Sequence, residues 1–531
     1  MRPTTGEAYT DGRGMFRPAE VRVERGSRIP GERVVRADVC VIGTGAGGAP
    51  VAKELAEGGM RVVMLEEGER FTPDDMTTRP GEMTTVLYRD AGQTVTVGNV
   101  PITLPLGKTV GGSTLVNSGT CFRTPAALLE LWADRFGLEQ LTPEALDPFF
   151  RRVERELNVA QVTPELAGRN AAVVKRGADA LGWHGDYIFR NAKGCVGSGV
   201  CAFGCPTAAK QHTGQVYVPK AWDAGATTYS GCRAQRILID GGRARGVEAR
   251  TSAGGTVRVE SDLVIVACGA IHTPLFLRRN GLGGESGELG RNLAIHPATA
   301  VRALFDEEID MARGVPQSFY IDEFAGEGIM FEGAAGPPDY VAMGFPYSRE
   351  RHRELMLSFP NLSQFGVMVS DVSRGFVRER AGRAEIRYDL QDEDVKLFRR
   401  GIELLAELYR AAGAKRVFLP VDGAPEGPLP ERLHAHDLTL MAFHPLGTAR
   451  ADARPERGVV DGDLRLYGME GVYVADASAV PSSLGVNPQI TIMALATRLA
   501  YHLLGQNAPD DEPEPETIAR PRIGRAHALA V

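Results

Sequence analysis

The stretch "ADVCVIGTGAGGAPVAKELAEGGMRVVMLEEG", residues 37–68, carries a strand, a glycine loop, a helix and a second strand in immediate succession. "ADVCVIG" (37–43) is a continuous apolar run ending in glycine, the pattern of a strand buried on both faces of a parallel sheet. "AGGAPVAKELAEGG" (46–59) switches to helical spacing and closes on a glycine pair suited to a C-terminal cap. "RVVMLEEG" (61–68) reads as a second buried strand. Between first strand and helix, "GTGAGG" sets Gly43, Gly45 and Gly48 in the order G-x-G-x-x-G. The first glycine permits the tight turn and the second lets backbone approach a pyrophosphate. The third lets the helix pack close to the sheet, with its N-terminus facing the phosphate charge. Glu66, 23 residues after Gly43, ends the second strand, where a carboxylate accepts hydrogen bonds from an adenosine ribose. The stretch predicts a dinucleotide-binding βαβ unit. By itself it does not choose between FAD and NAD.

Further pieces of the same architecture lie far downstream. "DLVIVACGAIHTPLFLRRNG" (262–281) reads as strand, turn and helix. "GVYVADAS" (471–478) is another strand, and "QITIMALATRLAYHLL" (489–504) is a strong amphipathic helix. One domain is therefore discontinuous in sequence, spanning 37–120, 215–296 and 440–506. The segments 121–214 and 297–439 are assigned to a second, substrate-binding lobe. Residues 1–36 read as a polar arm lying over the surface or partly disordered, and 507–531, rich in proline and charge, as a loose tail.

The 531 residues suit two or three domains, or one large α/β body with an inserted lobe. A hydrophobic share of 43% and a charged share of 24% are those of an ordinary globular protein. The net charge of −7, with no basic block interleaved with aromatics, argues against nucleic acid as a partner. No run approaches the ~18 apolar residues of a membrane span. The N-terminus shows neither an apolar signal segment nor a twin-arginine pair. The seven cysteines then read as reduced thiols, and the expected compartment is the cytoplasm.

Three further stretches select the cofactor. "GKTVGGSTLVNSGTCFR" (107–123) gathers Gly111, Gly112, Ser113 and Asn117 into a loop fit to lie against a flat ring. "FHPLGTAR" (443–450) carries His444, and "VYVADASAVPSSLGVNPQITIMALA" (472–496) carries Asp476 and the pair Asn487–Pro488. Together with "GAIHTPLFLRRNGLG" and "GRNLAIHP", these resemble the glucose–methanol–choline (GMC) family of flavin oxidoreductases. The resemblance runs from about 37 to 505, is weak from about 300 to 430, and is closest to the cholesterol oxidase and long-chain alcohol oxidase branch.

That resemblance implies a Rossmann-like α/β FAD-binding domain with a mostly antiparallel-sheet substrate-binding domain. It implies that Gly43, Gly45, Ala46, Gly48 and Glu66 hold the ADP half of FAD, and that Gly111, Gly112, Ser113 and Asn117 line the flavin. Asp476, Ala477 and Pro488 complete the cofactor contacts. His444 is implied as the catalytic base and Asn487 as its partner. Some family members attach FAD through a His just before the Asn of the G-G-S loop. Here that position is Val116, so non-covalent FAD is expected. A second departure is "TARAD", where many members read Thr-x-x-Met-Gly.

The chemistry suits the residues. Oxidising an alcohol removes a hydroxyl proton and a carbon-bound hydride. The flavin carries the hydride, a His near neutral pKa suits the proton, and a neutral amide beside it holds the oxygen without competing. The expected partners are a small-molecule alcohol and either oxygen or an electron-acceptor protein. A redox-inactive flavin lyase and a flavin scaffold without turnover are the rivals. "PPDYVAMGFP" (337–346) and "MLSFPNLSQFGVMVS" (356–370) offer apolar lining for a bulky alcohol, or simply core.

"CVGSGVCAFGCP" (195–206) sets Cys195, Cys201 and Cys205 in the spacing C-x5-C-x3-C-P. Packing of small thiols beside the flavin domain is the favoured reading. An iron–sulfur cluster, as in the cluster loop of flavin-dependent glucose dehydrogenases that this stretch resembles, is the second, and a disulfide the third. The cluster would make the enzyme a dehydrogenase with a partner protein. Zinc fits less well because a structural site takes four ligands. His434 and His436 in "HAHD" read as a solvated loop, and no metal site is expected.

Overall fold

The computed structural model describes residues 21–345 and 347–509, together with two short paired strands at Tyr9–Thr10 and Phe16–Arg17. The expected tail lies almost wholly outside these residues. The chain folds around two sheets. The first is six-stranded and parallel throughout, in the order Val472–Val474, Leu263–Val266, Val39–Ile42, Val62–Leu65, Thr227–Ser230 and Val23–Arg25. Every residue of Val39–Ile42 and Val62–Leu65 is buried, as an apolar run in a doubly covered sheet requires. The helix Gly48–Glu57 crosses between these two strands, and Gln489–Leu503 packs into the same core.

A four-stranded sheet flanks this body. Cys232–Asp240, Arg243–Thr251 and Thr256–Glu260 form an antiparallel meander, and Glu32–Arg36 joins it in parallel. The first turn is Gly241–Gly242, both with positive φ, the chemistry of a tight hairpin.

The second main sheet is almost entirely antiparallel. Its order is Ile102–Thr103, Leu440–Met441, Ala298–Leu304, Leu362–Val369, Ile329–Gly333, Phe319–Ile321 and Gly185–Tyr187. Arg416–Phe418 also pairs with Ala298–Leu304. One face is apolar. Val301, Phe331, Phe365 and Val367 pack with Phe398, Ile402 and Leu405 of the helix Asp392–Ala411. The helix Pro164–Leu181 covers the same face. The opposite face carries Met330 and Met368 into the core of the parallel sheet, so it looks toward the dinucleotide-type domain.

Two features differ from the sequence reading. Residues assigned to a surface arm at 1–36 include two strands, Val23–Arg25 at the edge of the parallel sheet and Glu32–Arg36 in the flanking sheet. Backbone ladder bonds hold such edges, and their charged side chains give no apolar signal in sequence. The segment 121–214, assigned whole to the substrate lobe, is shared between the two cores. The helix Pro143–Glu156 buries Leu146, Phe149, Phe150 and Val153 in the core of the parallel sheet, and Phe149 meets Tyr501 edge-on at 5.6 Å. Apolar periodicity marks that this helix is amphipathic, not which body it covers.

Phe150→Ala is expected to cost about 3–5 kcal/mol of unfolding free energy, because the cavity forms in the core that carries the glycine loop. Chemical denaturation of the variant against the parent checks this; a loss below about 1 kcal/mol would place the helix outside that core.

Candidate active site

The glycine loop is shaped by backbone contacts that exclude side chains. Gly43 has φ 101°, and a Cβ there would lie 2.2 Å from the carbonyl oxygen of Ala267. A Cβ on Gly48 would lie 2.0 Å from the oxygen of Gly43. Sequence reading missed the most constrained position. A Cβ on Gly47 would come within 1.5 Å of the Ala475 oxygen, so this residue joins the loop to the strand Val472–Val474. Gly45 is open on its ligand side and faces Gly112, whose own Cβ would sit 3.0 Å from the Gly45 Cα. The glycines at 43–48 and 107–117 therefore meet, as the sequence pattern requires of one cofactor cradle. Ala46 is half-buried against the domain core, and Ser113 is exposed, its Oγ accepting from Gly107 N at 3.1 Å.

A threonine network absent from the sequence reading ties these loops together. The Glu66 carboxylate accepts from Thr44 N at 3.0 Å, Thr44 Oγ1 at 2.7 Å and Gly68 N at 2.8 Å. Gly111 N donates to Thr44 Oγ1 at 3.0 Å, and Thr213 Oγ1 donates to Thr44 O at 2.9 Å. Burial raises the Glu66 carboxyl despite these donors. His212 Nδ1 is buried with no hydrogen-bond partner, and a Cβ on Gly111 would lie 3.1 Å from it. An uncovered glycine backbone, a helix N-terminus and an orphaned buried nitrogen together fit a dinucleotide such as FAD.

Asp476 takes a supporting place. Its two oxygens accept from Gly269 N at 2.9 Å, Thr273 Oγ1 at 2.5 Å, Ser478 N at 2.8 Å and Ser478 Oγ at 2.5 Å. It thereby caps the helix Gly269–Arg279 and the turn Ala477–Ala479, and Ala477 O accepts from Gly447 N at 3.0 Å. Asn117 donates to Gln489 Oε1 at 2.8 Å, which clips the flavin-type loop to the start of the last helix beside buried Pro488.

His444 and Asn487 come together as the sequence motifs suggest, with Asn487 Nδ2 3.4 Å from His444 Nε2. Two residues missed in sequence complete the constellation. Glu332, on the strand Ile329–Gly333, accepts from Asn487 Nδ2 at 3.2 Å. Its Oε1 and the Asn487 Oδ1 are buried without partners. Burial pushes the Glu332 carboxyl up to about 7, the Asn487 hydrogen bond only partly offsetting it. On the other side, His296 Nδ1 lies 3.2 Å from His444 Nδ1. His296 is a strained residue, with φ 47°, and its Nε2 accepts from Leu484 N at 2.8 Å and Gly485 N at 3.1 Å. Asp371 holds the same turn through Ile295 N at 2.9 Å.

Protonation follows from this chain of contacts. Burial lowers His296 to about 4, and burial with His296 nearby holds His444 well below the usual imidazole range. Both rings are neutral at physiological pH. A His296 Nε2 that accepts two amide protons carries none, so its proton is on Nδ1 and points at His444 Nδ1. His444 is then left with its proton on Nε2, beside Asn487. Sequence could not reveal this, because it depends on two backbone amides far along the chain.

The cysteine loop is organised around a lysine. Lys210 Nζ donates to the oxygens of Leu115, Asn117 and Cys201 at 2.6, 2.6 and 2.7 Å, joining the loop to 107–117. Arg190 Nη2 lies 3.3 Å from Cys201 Sγ. Cys195, Cys201 and Cys205 are free thiols. Among the described residues, no three His, Cys, Asp or Glu side chains are grouped to hold a metal ion. His434 and His436 stack at 5.3 Å.

Two family models described as GMC oxidoreductase match residues 84–298 and 371–496. An uncharacterized GMC-type oxidoreductase of Mycobacterium tuberculosis is 44% identical over 88% of this chain and 76% of its own. One from Sinorhizobium fredii is 33% identical over 91% and 97%. A long-chain-alcohol oxidase of Arabidopsis thaliana is 26% identical over 94% and 72%. Among solved structures, pyridoxine 4-oxidase from Mesorbium loti superposes with a TM-score of 0.69 at 19% identity, covering 88% of this chain and 98% of that one. The Rossmann-like domain with a second substrate-type domain is thus the fold of this chain as well.

Gly47→Ala is expected to yield protein without flavin, because the Cβ must displace the Ala475 carbonyl; the flavin absorbance per chain after purification checks it. Glu332 gives a pH signature. Its carboxyl is raised in the folded state, so its contribution is present in acid and is lost as pH climbs from the ordinary carboxylate range through about 7. Glu332→Gln should therefore gain stability relative to the parent between pH 5 and 8, by up to about 3 kcal/mol. Denaturation at the two pH values measures it, and a pH-independent difference would contradict the raised carboxyl.

Proposed function

The chain belongs to the GMC oxidoreductase family of FAD-dependent enzymes, and from that premise we propose that it oxidises the CH–OH group of an alcohol to a carbonyl. His444, Asn487 and Glu332 surround the reacting oxygen. When bound, the flavin supplies the two-electron acceptor for the hydride that leaves the carbinol carbon. The carrying observation is the His444–Asn487 pair, two side-chain nitrogens 3.4 Å apart with a buried carboxylate beside them.

His444 Nε2 and Asn487 Nδ2 lie 3.4 Å apart, close enough to serve one acceptor. Two donors facing one acceptor suit an alcohol oxygen that becomes a carbonyl oxygen, and they strengthen as charge builds there. The hydroxyl proton needs an acceptor. The sequence motif assigns that role to His444. The His296 contact favours a second reading, in which His444 keeps its proton and Glu332, near neutrality with one oxygen unpartnered, takes the substrate's. Val116 is buried where some relatives attach the cofactor through His, which supports non-covalent FAD. The electron acceptor is oxygen or an acceptor protein; the Lys210 and Arg190 contacts around Cys201 support packing as the role of that thiol.

Anaerobic mixing of the holoenzyme with an alcohol panel tests the proposal through bleaching of the flavin absorbance. His444→Ala and Glu332→Gln should each slow bleaching by about 10²–10⁴-fold. If Glu332 is the base, Glu332→Gln also removes the pH dependence near 7 while His444→Gln retains it; the reverse pattern assigns the base to His444. Bleaching that survives unchanged in His444→Ala would end the mechanism, and turnover without any flavin bleaching would make the enzyme a lyase.

A further inference from the structure

The face of the antiparallel sheet that carries Glu332 also carries a buried cation with no counter-charge. Arg302 stands on the strand Ala298–Leu304 opposite Gln364, and Glu332 stands opposite Gly366. Gln364 and Gly366 are two residues apart on the strand between them, so Arg302 and Glu332 point to the same side. With neighbouring strands about 4.8 Å apart and about 3.4 Å per residue, their Cα atoms are about 12 Å apart. That spacing keeps the Glu332 carboxylate from pairing with Arg302.

Arg302 is only 7% exposed. Among the described residues no carboxylate pairs with it. Nε is buried without a hydrogen-bond partner, and Nη1 has only the Ala300 oxygen at 3.4 Å. Burial pulls the guanidinium down to about 10, so at neutral pH it is still a cation. Its other neighbours are neutral: the phenols of Tyr340 and Tyr409, which favour its charge only weakly, and an aromatic ring. It lies 4.9 Å from the centre of the Phe345 ring, which packs on Phe418 at 5.9 Å. Gly344 crosses close above it, where a Cβ would fall 1.9 Å from Nη2. Tyr340, from the same covering segment, has its phenol close enough to act on Arg302, meets Phe203 edge-on at 5.7 Å and packs against the cluster containing Leu115 and Val116 of the flavin-type loop. Arg302 thus lies under residues that bridge the sheet face and the cofactor cradle.

A buried charge without a partner is costly, and folded proteins pair such groups or leave them for a ligand. The planar guanidinium matches a carboxylate through two parallel hydrogen bonds. We propose that Arg302 is a substrate anchor, and that the alcohol oxidised at His444 and Asn487 carries a carboxylate seated on Arg302 beneath Gly344 and Phe345. This rests on the oxidation reading for the carbinol end, whereas carboxylate binding at Arg302 stands independently of turnover. The sheet register puts the backbones carrying Arg302 and Glu332 about 12 Å apart, so the two ends of such a substrate are a medium-length chain apart.

Two measurements on the holoenzyme test the anchor. Titration calorimetry with straight-chain monocarboxylates, hexanoate to dodecanoate, should show binding in the parent and at least about tenfold weaker binding in Arg302→Gln, with Arg302→Lys between them. Separately, kcat/KM is compared for ω-hydroxycarboxylates and their methyl esters in the parent enzyme alone. The acid should exceed its ester by about tenfold or more at a preferred chain length, an advantage carried in KM. Esters used as well as acids, with no carboxylate binding in the parent, would overturn the anchor. Carboxylate binding that depends on Arg302, with no flavin bleaching by any alcohol, would retain the anchor and discard the oxidation reading instead.

Discussion

The close approach of Gly47 to the carbonyl of Ala475 is the contact on which the rest depends. Only a residue without a Cβ lets the first helix begin there, since a Cβ would lie 1.5 Å from the Ala475 carbonyl oxygen. That approach brings the glycine loop, the strand Val472–Val474 and the Asp476 cap into one layer, although they come from opposite ends of the chain. Thr44 then fastens the loop sideways to Glu66 and to Gly111. The cradle is mostly backbone, and its precision comes from excluded volume rather than from strong individual bonds.

The antiparallel sheet divides its two faces by chemistry. One face is a conventional apolar core against two helices. The other holds Glu332 and Arg302 away from water and away from each other. Burial then acts on both, raising the carboxyl toward neutrality and weakening the hold of the guanidinium on its proton. Residues arranged in this way are poor contributors to stability and suited to meeting a ligand.

Lys210 shows a different use of buried charge. Its ammonium is satisfied by three carbonyl oxygens, so it works as a fixed clip between the cysteine loop and the flavin-type loop. Burial lowers it to about 8, which leaves it largely charged at neutral pH. The glycines of 195–206 are set by other neighbours: a Cβ on Gly199 would meet the Ala312 carbonyl oxygen and one on Gly204 the Met76 sulfur. The cysteine spacing favoured packing over an iron–sulfur cluster or a disulfide, but it did not show that Lys210 ties this loop to its neighbours.

The sequence by itself determined the buried parallel strands, the helix between them and the position of Glu66, while the His444–Asn487 pair was suggested only by the family resemblance of their motifs. Those signals are local, since apolar runs and glycine spacing report directly on burial and on backbone reach. Tertiary structure alone decided the rest. Two charged edge strands at 23–36 joined sheets through backbone bonds that leave no side-chain pattern, and the helix Pro143–Glu156 chose a core that its periodicity could not name. Glu332 and Arg302 come from strands whose alternation marks only two faces, and His296 from a turn whose conformation leaves no pattern. Which face meets a cofactor, which nitrogen of His444 holds its proton and which charge lacks a partner are properties of juxtaposition between distant segments, and they exist only once the chain has folded.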